Sequence, residues 1–397
     1  MNNFGVIVLG VDSATGLGVI RSLGKNGLRV IAGDDTQRAI GFYSKYVKDS
    51  LLLPSDKEKT ISTLLKFGLK KPGWVIIPTT DYYVTLVSQK WEELSKHFIL
   101  TTAPWHIVRF CIDKLLTYKI AKKAGIPTPQ TYCPRNEKEL KKIANGLDFR
   151  GKSWILKSRS KVLFPNAQKG LFHKGKAVEA TSKKDLLELY HANIDTIGES
   201  ALVQERIPGM PDRNVIFQTV INQQSQPVVV STEKKIRQLP LFFGVGSYRE
   251  SIAEPIAIKF GLKLLNRIGY YGMAYVEFKR DPRDGQLKLM EINPRFTMGI
   301  SLAKACGINF ALILYNTFLN IQDTIKQRYK IGIRWWNISY DLYTILTNRK
   351  YLPWRKTFRD IVSNKSRTQA FAYLSREDPF PFLISLNTNI KLMRERR

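Results

Sequence analysis

Residues 273–293 read MAYVEFKRDPRDGQLKLMEIN, and Pro294-Arg295-Phe296 follow. Two apolar-rich runs, 273–280 and 287–293, flank a DPRDG turn signal, so the segment predicts a β-hairpin centred near Asp284. Side chains on a strand alternate faces, so Glu291 and Asn293 share a face about 7 Å apart. The hairpin sets Glu277 opposite or nearly opposite Glu291. Two carboxylates brought together repel, and one is pushed toward its protonated form unless a cation lies between them. Hard oxygen donors of this kind suit Mg²⁺, which takes one or two carboxylates plus substrate phosphates. Arg295, just past the strand end, is placed to grip a phosphate or oxyanion. Alternatively, both glutamates are solvated residues on an exposed hairpin.

Working outward, 214–221 and 227–233 read as paired strands, 254–268 as a helix, and 201–207 as a strand closed by Pro208-Gly209. The strand 153–157 ends in Lys157, and a helix over 182–192 follows a basic stretch. Asp113 is an N-cap candidate for a helix over 114–124 that opens with Lys114, where a cation opposes the helix dipole unless an anion is bound. At the N-terminus, the strand 6–9, the glycine-rich loop GVDSATGLG (10–18), a helix from about Ile20 to Lys25 and the strand 29–33 form a parallel βαβ unit. A second unit follows, with a helix over 57–69, the strand 74–78, Asp81, and a helix through 82–96. Ligands of such sheets bind beyond the strands' carboxyl ends, so Asp81 and the 10–18 loop face one crevice. Asp81 either receives an ammonium group or caps the helix after it. The glycines at 10, 16 and 18 depart from the G-x-G-x-x-G dinucleotide pattern, and Asp34 or Asp35 is the candidate ribose acid for a nicotinamide reading.

The whole chain of 397 residues carries 63 Lys and Arg against 33 Asp and Glu, a net charge of +30 that favours anionic partners. There is no secretory signal pattern and no apolar run of transmembrane length. Three scattered cysteines and four histidines offer no zinc spacing and fit a reducing cytoplasm. From 325 onward, 16 Lys and Arg face 5 Asp and Glu, interleaved with Trp335, Trp336, Tyr340, Tyr343, Tyr351 and Trp354. This tail reads either as a peripheral contact with an anionic membrane or as aromatics packed on the body with their cations outward. Nucleic acid fits less well, because no recognition module is present.

Four segments in order, DKLLTYKIAKKAGIPTPQTY, WILK, VQERIPG and VEFKRD…LMEINPRF, resemble the ATP-grasp superfamily of carboxylate–amine ligases over about residues 4–310. An opening of the G-x-x-S-A-T-G-L type, an IPTTD strand end and KIRQLP (235–240) are similar to an uncharacterised, envelope- or polysaccharide-associated branch. The resemblance implies an α/β fold, α+β in the ATP-binding part. Its modules are a Rossmann-like pre-ATP-grasp domain at 1–110, a linker helix and small subdomain at 111–200, a large subdomain with the metal site at 201–322, and a basic, mostly helical extension at 323–397.

The same resemblance implies roles for individual residues. Lys114 and Lys157 would contact ATP phosphates, and Glu205 would take the adenine amino group with backbone help from Arg206 and Ile207. Asp212 would hold the ribose. Glu277, Glu291 and Asn293 would hold Mg²⁺ (or Mn²⁺), and Arg295 would stabilise the transferred phosphoryl. Lys234, Lys235 and Arg237 are candidates for substrate or γ-phosphate contacts, with surface solvation as the rival. The phosphate clamp lies among Arg159, Lys161 and neighbours, under a lid over 158–176. The implied activity is an ATP- and Mg²⁺-dependent ligase acting on a small carboxylate and an amine in the cytoplasm. The alternatives are a nucleotide-binding protein without turnover and a nicotinamide-dependent enzyme.

Overall fold

The computed structural model describes residues 4–164, 177–197, 200–322, 328–364 and 367–386. Three sheets follow one another along the chain. The first is parallel and comprises β1 (Val6–Leu9), β2 (Val30–Asp34), β3 (Val47–Leu52), β4 (Trp74–Pro78) and β5 (Phe98–Leu100), in the order β3-β2-β1-β4-β5. β1, β2 and β4 are buried along their whole length, as expected of strands covered by crossover helices on both faces. Side chains of Ser13, Asp56 and Thr80 cap the helices Ala14–Gly24, Lys57–Lys70 and Asp81–Gln89. The strand order reverses between β1 and β4, so the crevice beyond their carboxyl ends opens beside Asp81.

The glycine-rich loop is shorter than its sequence suggests. Ser13 Oγ accepts from Gly16 N at 3.3 Å and starts the helix at Ala14. Gly16 thus lies in the first turn, where an added Cβ would fall 2.7 Å from the Gly10 carbonyl oxygen. The glycine serves helix–strand packing. The expected helix through 82–96 is two pieces, Asp81–Gln89 and Trp91–Leu94.

The second sheet is antiparallel, with β6 (Thr131–Tyr132), β7 (Trp154–Ser158), β8 (Val178–Ala180) and β9 (Ala201–Glu205) in the order β6-β9-β7-β8. The helices Glu137–Gly146 and Lys183–His191 cover it through Leu140, Leu186 and Tyr190. The third contains β10 (Asn214–Ile221), β11 (Pro227–Leu239), β12 (Val245–Ile252), β13 (Gly272–Arg280), β14 (Leu287–Asn293), β15 (Arg334–Trp336) and β16 (Thr368–Phe371). Its order is β14-β13-β10-β11-β12-β15-β16. The helix Pro255–Ile268 packs on it so closely that a Cβ at Gly261 would lie 2.1 Å from the Phe217 ring. A separate core of Val6, Val8, Val220, Phe310 and Leu314 joins the first and third sheets.

One expectation changes here and another gains detail. β11 continues to Leu239 and is followed by β12, because the polar run EKKIRQ is a strand whose side chains are mostly buried. In regular structure the C-terminal extension is mostly helical among the described residues, as expected, but it also supplies β15 and β16, which widen the third sheet, and Trp335 is fully buried. Asp341 from the helix Ile338–Thr347 is also fully buried. It accepts from Arg237 Nε and Nη2 at 2.8 and 2.7 Å, from Ser247 Oγ at 2.9 Å and from Trp336 Nε1 at 2.9 Å.

Removing one partner of such a buried pair leaves an uncompensated charge. Asp341→Asn is therefore expected to lower unfolding free energy by roughly 3–5 kcal/mol, read from denaturant midpoints. An unchanged midpoint would show that the pair contributes nothing to holding the extension.

Candidate active site

A cavity of about 350 Å³ lies where the three sheets meet, lined by Asp81 from the first, Lys157 and Gln204 from the second and Glu277 and Glu291 from the third. Glu277 and Glu291 are direct register partners across β13 and β14, and a β-bulge follows Glu277. Asn293 projects to the same face, its Nδ2 donating to Glu291 Oε1 at 3.1 Å. Cations balance these carboxylates from two sides. Lys235 Nζ sits 2.6 Å from Glu277 Oε1. Arg295 donates through Nε and Nη2 to Asp81 at 2.6 and 3.0 Å, and through Nη2 to Asn293 Oδ1 at 3.2 Å. Burial opposes the Arg295 charge, but Asp81 more than offsets it and the guanidinium pKa is raised. Thr80, not Asp81, caps the helix. Asp81 is thus the carboxylate that holds Arg295 beside the paired glutamates.

Across the cavity, Lys157 Nζ donates to Gln204 Oε1 at 2.7 Å and to Tyr118 Oη at 3.2 Å. Burial pushes the Tyr118 phenol up to about 12, and its hydroxyl donates to the Met290 carbonyl at 2.6 Å. This ties the lysine-bearing strand to the hairpin. Asp113 caps its helix through Leu115 N at 2.9 Å, and Lys114 in the first turn donates to the Arg159 carbonyl at 3.4 Å and lines the cavity. Arg159 itself forms an ion pair with Asp113, while Lys161 lines the cavity. Residues 165–176 of the expected lid lie outside the described residues.

Arg206 and Ile207 line the cavity. Glu205 does not: alternation along β9 turns its carboxylate to the other face, where it meets Arg283 Nη2 at 2.7 Å. Gln204 projects inward instead. Asp212 is exposed on a short 3₁₀ turn outside the lining, between Pro211 and Asn214, which do line it. Lys234 lies off the lining and pairs with Glu250 at 3.7 Å. Arg237 should share a face with Lys235 in a regular strand. Bulges on either side of Arg237 break that alternation and turn it onto Asp341, with its guanidinium 4.4 Å from the Tyr248 ring centroid. It is buried against these groups and does not line the cavity. Asp34 is likewise occupied, accepting from the backbone of Asp12 and Thr36 at 3.0 Å each.

Lys279 lines the cavity and was not anticipated, although it follows Glu277 by two residues on the same strand and therefore shares its face. Burial, with Arg206 nearby, pushes its ammonium pKa down to about 8, and its Nζ donates to the Gly209 carbonyl at 2.9 Å. The apolar wall from Leu241 to Phe243 was also missed.

Among the described residues no three His, Cys, Asp or Glu side chains converge. Two carboxylates and one amide oxygen are what this face offers a hard cation. That donor set suits Mg²⁺ completing its shell with substrate and water oxygens.

No family model matches the chain. Over 289 residues it is 26% identical to D-aspartate ligase of Enterococcus faecium (strain Aus0004), a stretch covering 68% of this chain and 66% of that relative, just under two thirds of its length. Among solved structures, the biotin carboxylase domain of Hydrogenobacter thermophilus 2-oxoglutarate carboxylase, with MgADP and bicarbonate, superposes with a TM-score of 0.64 at 15% identity over 84% of this chain and 74% of that one. N5-carboxyaminoimidazole ribonucleotide synthetase with ADP gives 0.64 at 13% identity, covering 84% and 80%. L-amino acid ligase from Bacillus licheniformis gives 0.60 at 18%, covering 80% and 75%. At these identities the structures show a shared fold.

Lys279 gives the ligand-free site a pH signature. With its folded pKa below the unfolded value, the unfolded chain binds more protons between about pH 8 and 10, so stability rises with pH across that window. Below pH 8, Lys279→Met is expected to unfold at higher denaturant than the wild type, and the advantage should shrink as pH approaches 10. A pH-independent difference in midpoints would show that Lys279 titrates normally.

Proposed function

We propose that this chain is a member of the ATP-grasp superfamily and an ATP- and Mg²⁺-dependent ligase that activates a carboxylate as an acyl phosphate for attack by an amine. The observation that carries this reading is the placement of Glu277, Glu291 and Asn293 on one face, in the same cavity as Lys114, Lys157, Lys235 and Arg295. Glu277, Glu291 and the Asn293 amide oxygen would hold magnesium, which supplies charge neutralisation at the transferring phosphoryl.

The residues of the chain do the rest through position and charge. Lys157 and Lys114 would bind the ATP phosphates, and Gln204 and Tyr118 keep the Lys157 ammonium aimed across the cavity. The backbone of 205–207 would take the adenine edge. Ile155, Ile207, Leu241 and Phe242 supply apolar lining for the base. A carboxylate then attacks the γ-phosphoryl and ADP leaves. Arg295, oriented by Asp81, would hold the new acyl phosphate and then the oxyanion formed when the amine adds. Phosphate departs and the amide remains. The cations lining the cavity suit an anionic amine, and D-aspartate, the amino acid in the name of the Enterococcus relative, is the first to test.

In this reading residues 1–110 contribute the acceptor end, 111–200 and 201–322 enclose the nucleotide, and 323–397 support the cavity wall. Its location is the cytoplasm, with peripheral contact at the inner face of the membrane. Among the described residues no helix is long and apolar enough to cross a membrane.

ADP release with Mg²⁺ across a panel of amines and envelope-precursor carboxylates tests the reading. Turnover should require both substrates, and Glu291→Gln should lower it by about 10²-fold or more, while NAD should give no thermal stabilisation. Mg²⁺-dependent ATP binding without turnover on any pair would favour a nucleotide-binding protein. Full activity in Glu291→Gln would remove the metal assignment.

A further inference from the structure

The helix Trp354–Ser363 buries one residue, Thr357, against the body. Trp354, Phe358 and Val362 recur every fourth position, so they share one face, and they are 55, 62 and 55% exposed. The helix Ile338–Thr347, which packs against it, adds Leu342 and Leu346, four apart and 46 and 60% exposed, and Tyr351 lies exposed in the connection. Single exposed apolar side chains are ordinary on a protein surface, but a stripe of three large ones along one helix, with two more four apart on the helix it adjoins, marks an interaction site.

The charge around this row is of one sign. Arg349, Lys350, Arg355, Lys356 and Arg359 are all exposed, and none is in an ion pair among the described residues. The outer helix has one acid, Asp360, and it turns inward to Arg237 and Arg334 at 3.7 and 3.6 Å. What faces outward is therefore apolar and cationic. A second copy of the chain is a poor occupant, because a symmetric contact would oppose two sets of five cations. Nucleic acid would meet the charge but leave the apolar row without a partner. A bilayer with anionic headgroups satisfies both, taking the tryptophan, phenylalanine and valine at the acyl boundary and the arginines and lysines among the headgroups.

We propose that the face formed by the helices Ile338–Thr347 and Trp354–Ser363 docks the protein on an anionic lipid bilayer. This localises the peripheral contact of the functional reading to named side chains, and it does not depend on the ligase chemistry. The test is co-sedimentation of the full chain, without nucleotide, with phosphatidylcholine vesicles with and without phosphatidylglycerol. Binding should be at least about 10-fold tighter with phosphatidylglycerol and should weaken with salt. Trp354→Ser combined with Phe358→Ser leaves every charge in place and changes only exposed positions, so its circular dichroism should match wild type while vesicle binding falls about 10-fold or more.

Equal binding to both vesicle types would overturn the proposal. So would a double variant that still sediments like wild type, since that would be adsorption of a chain with net charge +30. Concentration-dependent self-association of the wild type that the double variant abolishes would assign the face to a second copy instead. Loss of ADP release with vesicle binding intact would count against the ligase reading alone.

Discussion

Two glutamates directly opposite each other on neighbouring strands are an unfavourable arrangement that needs cations to persist. Here Lys235 reaches Glu277 from β11, and Arg295 approaches Asn293 and Asp81 from just beyond β14. All three sheets contribute charged or polar side chains at this point. The third sheet supplies the carboxylates, the first supplies the aspartate that orients Arg295, and the second brings Lys157 across the cavity. A site held in this way is prepared for one further cation and for a polyanion, because each relieves an imbalance left by the other.

The C-terminal extension belongs to the same construction. Asp341 holds Arg237 and Ser247 behind β11 and β12, Thr344 Oγ1 donates to the Gln238 carbonyl at 3.3 Å, and Tyr351 packs edge-on to Phe242 at 5.5 Å. Gln238 and Phe242 line the cavity. The cavity wall carrying Gln238 and Phe242 is thus braced from outside by residues about a hundred positions downstream. The exposed helix that follows is connected to this brace by Asp360, which reaches both Arg237 and Arg334.

Much of this could be read from the chain because the signals were local. The hairpin follows from a five-residue turn between two apolar-rich runs, although the direct pairing of Glu277 with Glu291 needs the β-bulge beside them, without which Met290 would stand opposite Glu277; Asp113 and the helix after it follow from capping chemistry. Lys279 was equally available from alternation and needed only that Glu277 face a cavity. The failures share a different cause. Glu205 looks like an adenine contact until strand parity turns it toward Arg283. Arg237 looks equivalent to Lys235 until the β-bulges beside it reverse its face. β11 past Glu233 and β12 carry buried polar side chains that pair with distant residues, so their strand character has no apolar alternation to show it. Bulges and long-range ion pairs are decided by tertiary partners, and no window of sequence contains them.

Diffraction from crystals grown with Mn²⁺ and a non-hydrolysable ATP analogue tests the central claim most directly, because manganese scatters anomalously and takes magnesium's ligands. The account predicts an anomalous peak in contact with Glu277, Glu291 and Asn293 and with the terminal phosphates of the analogue, with Lys157 on those phosphates. Manganese found elsewhere, or an analogue bound with its phosphates away from the paired glutamates, would contradict it.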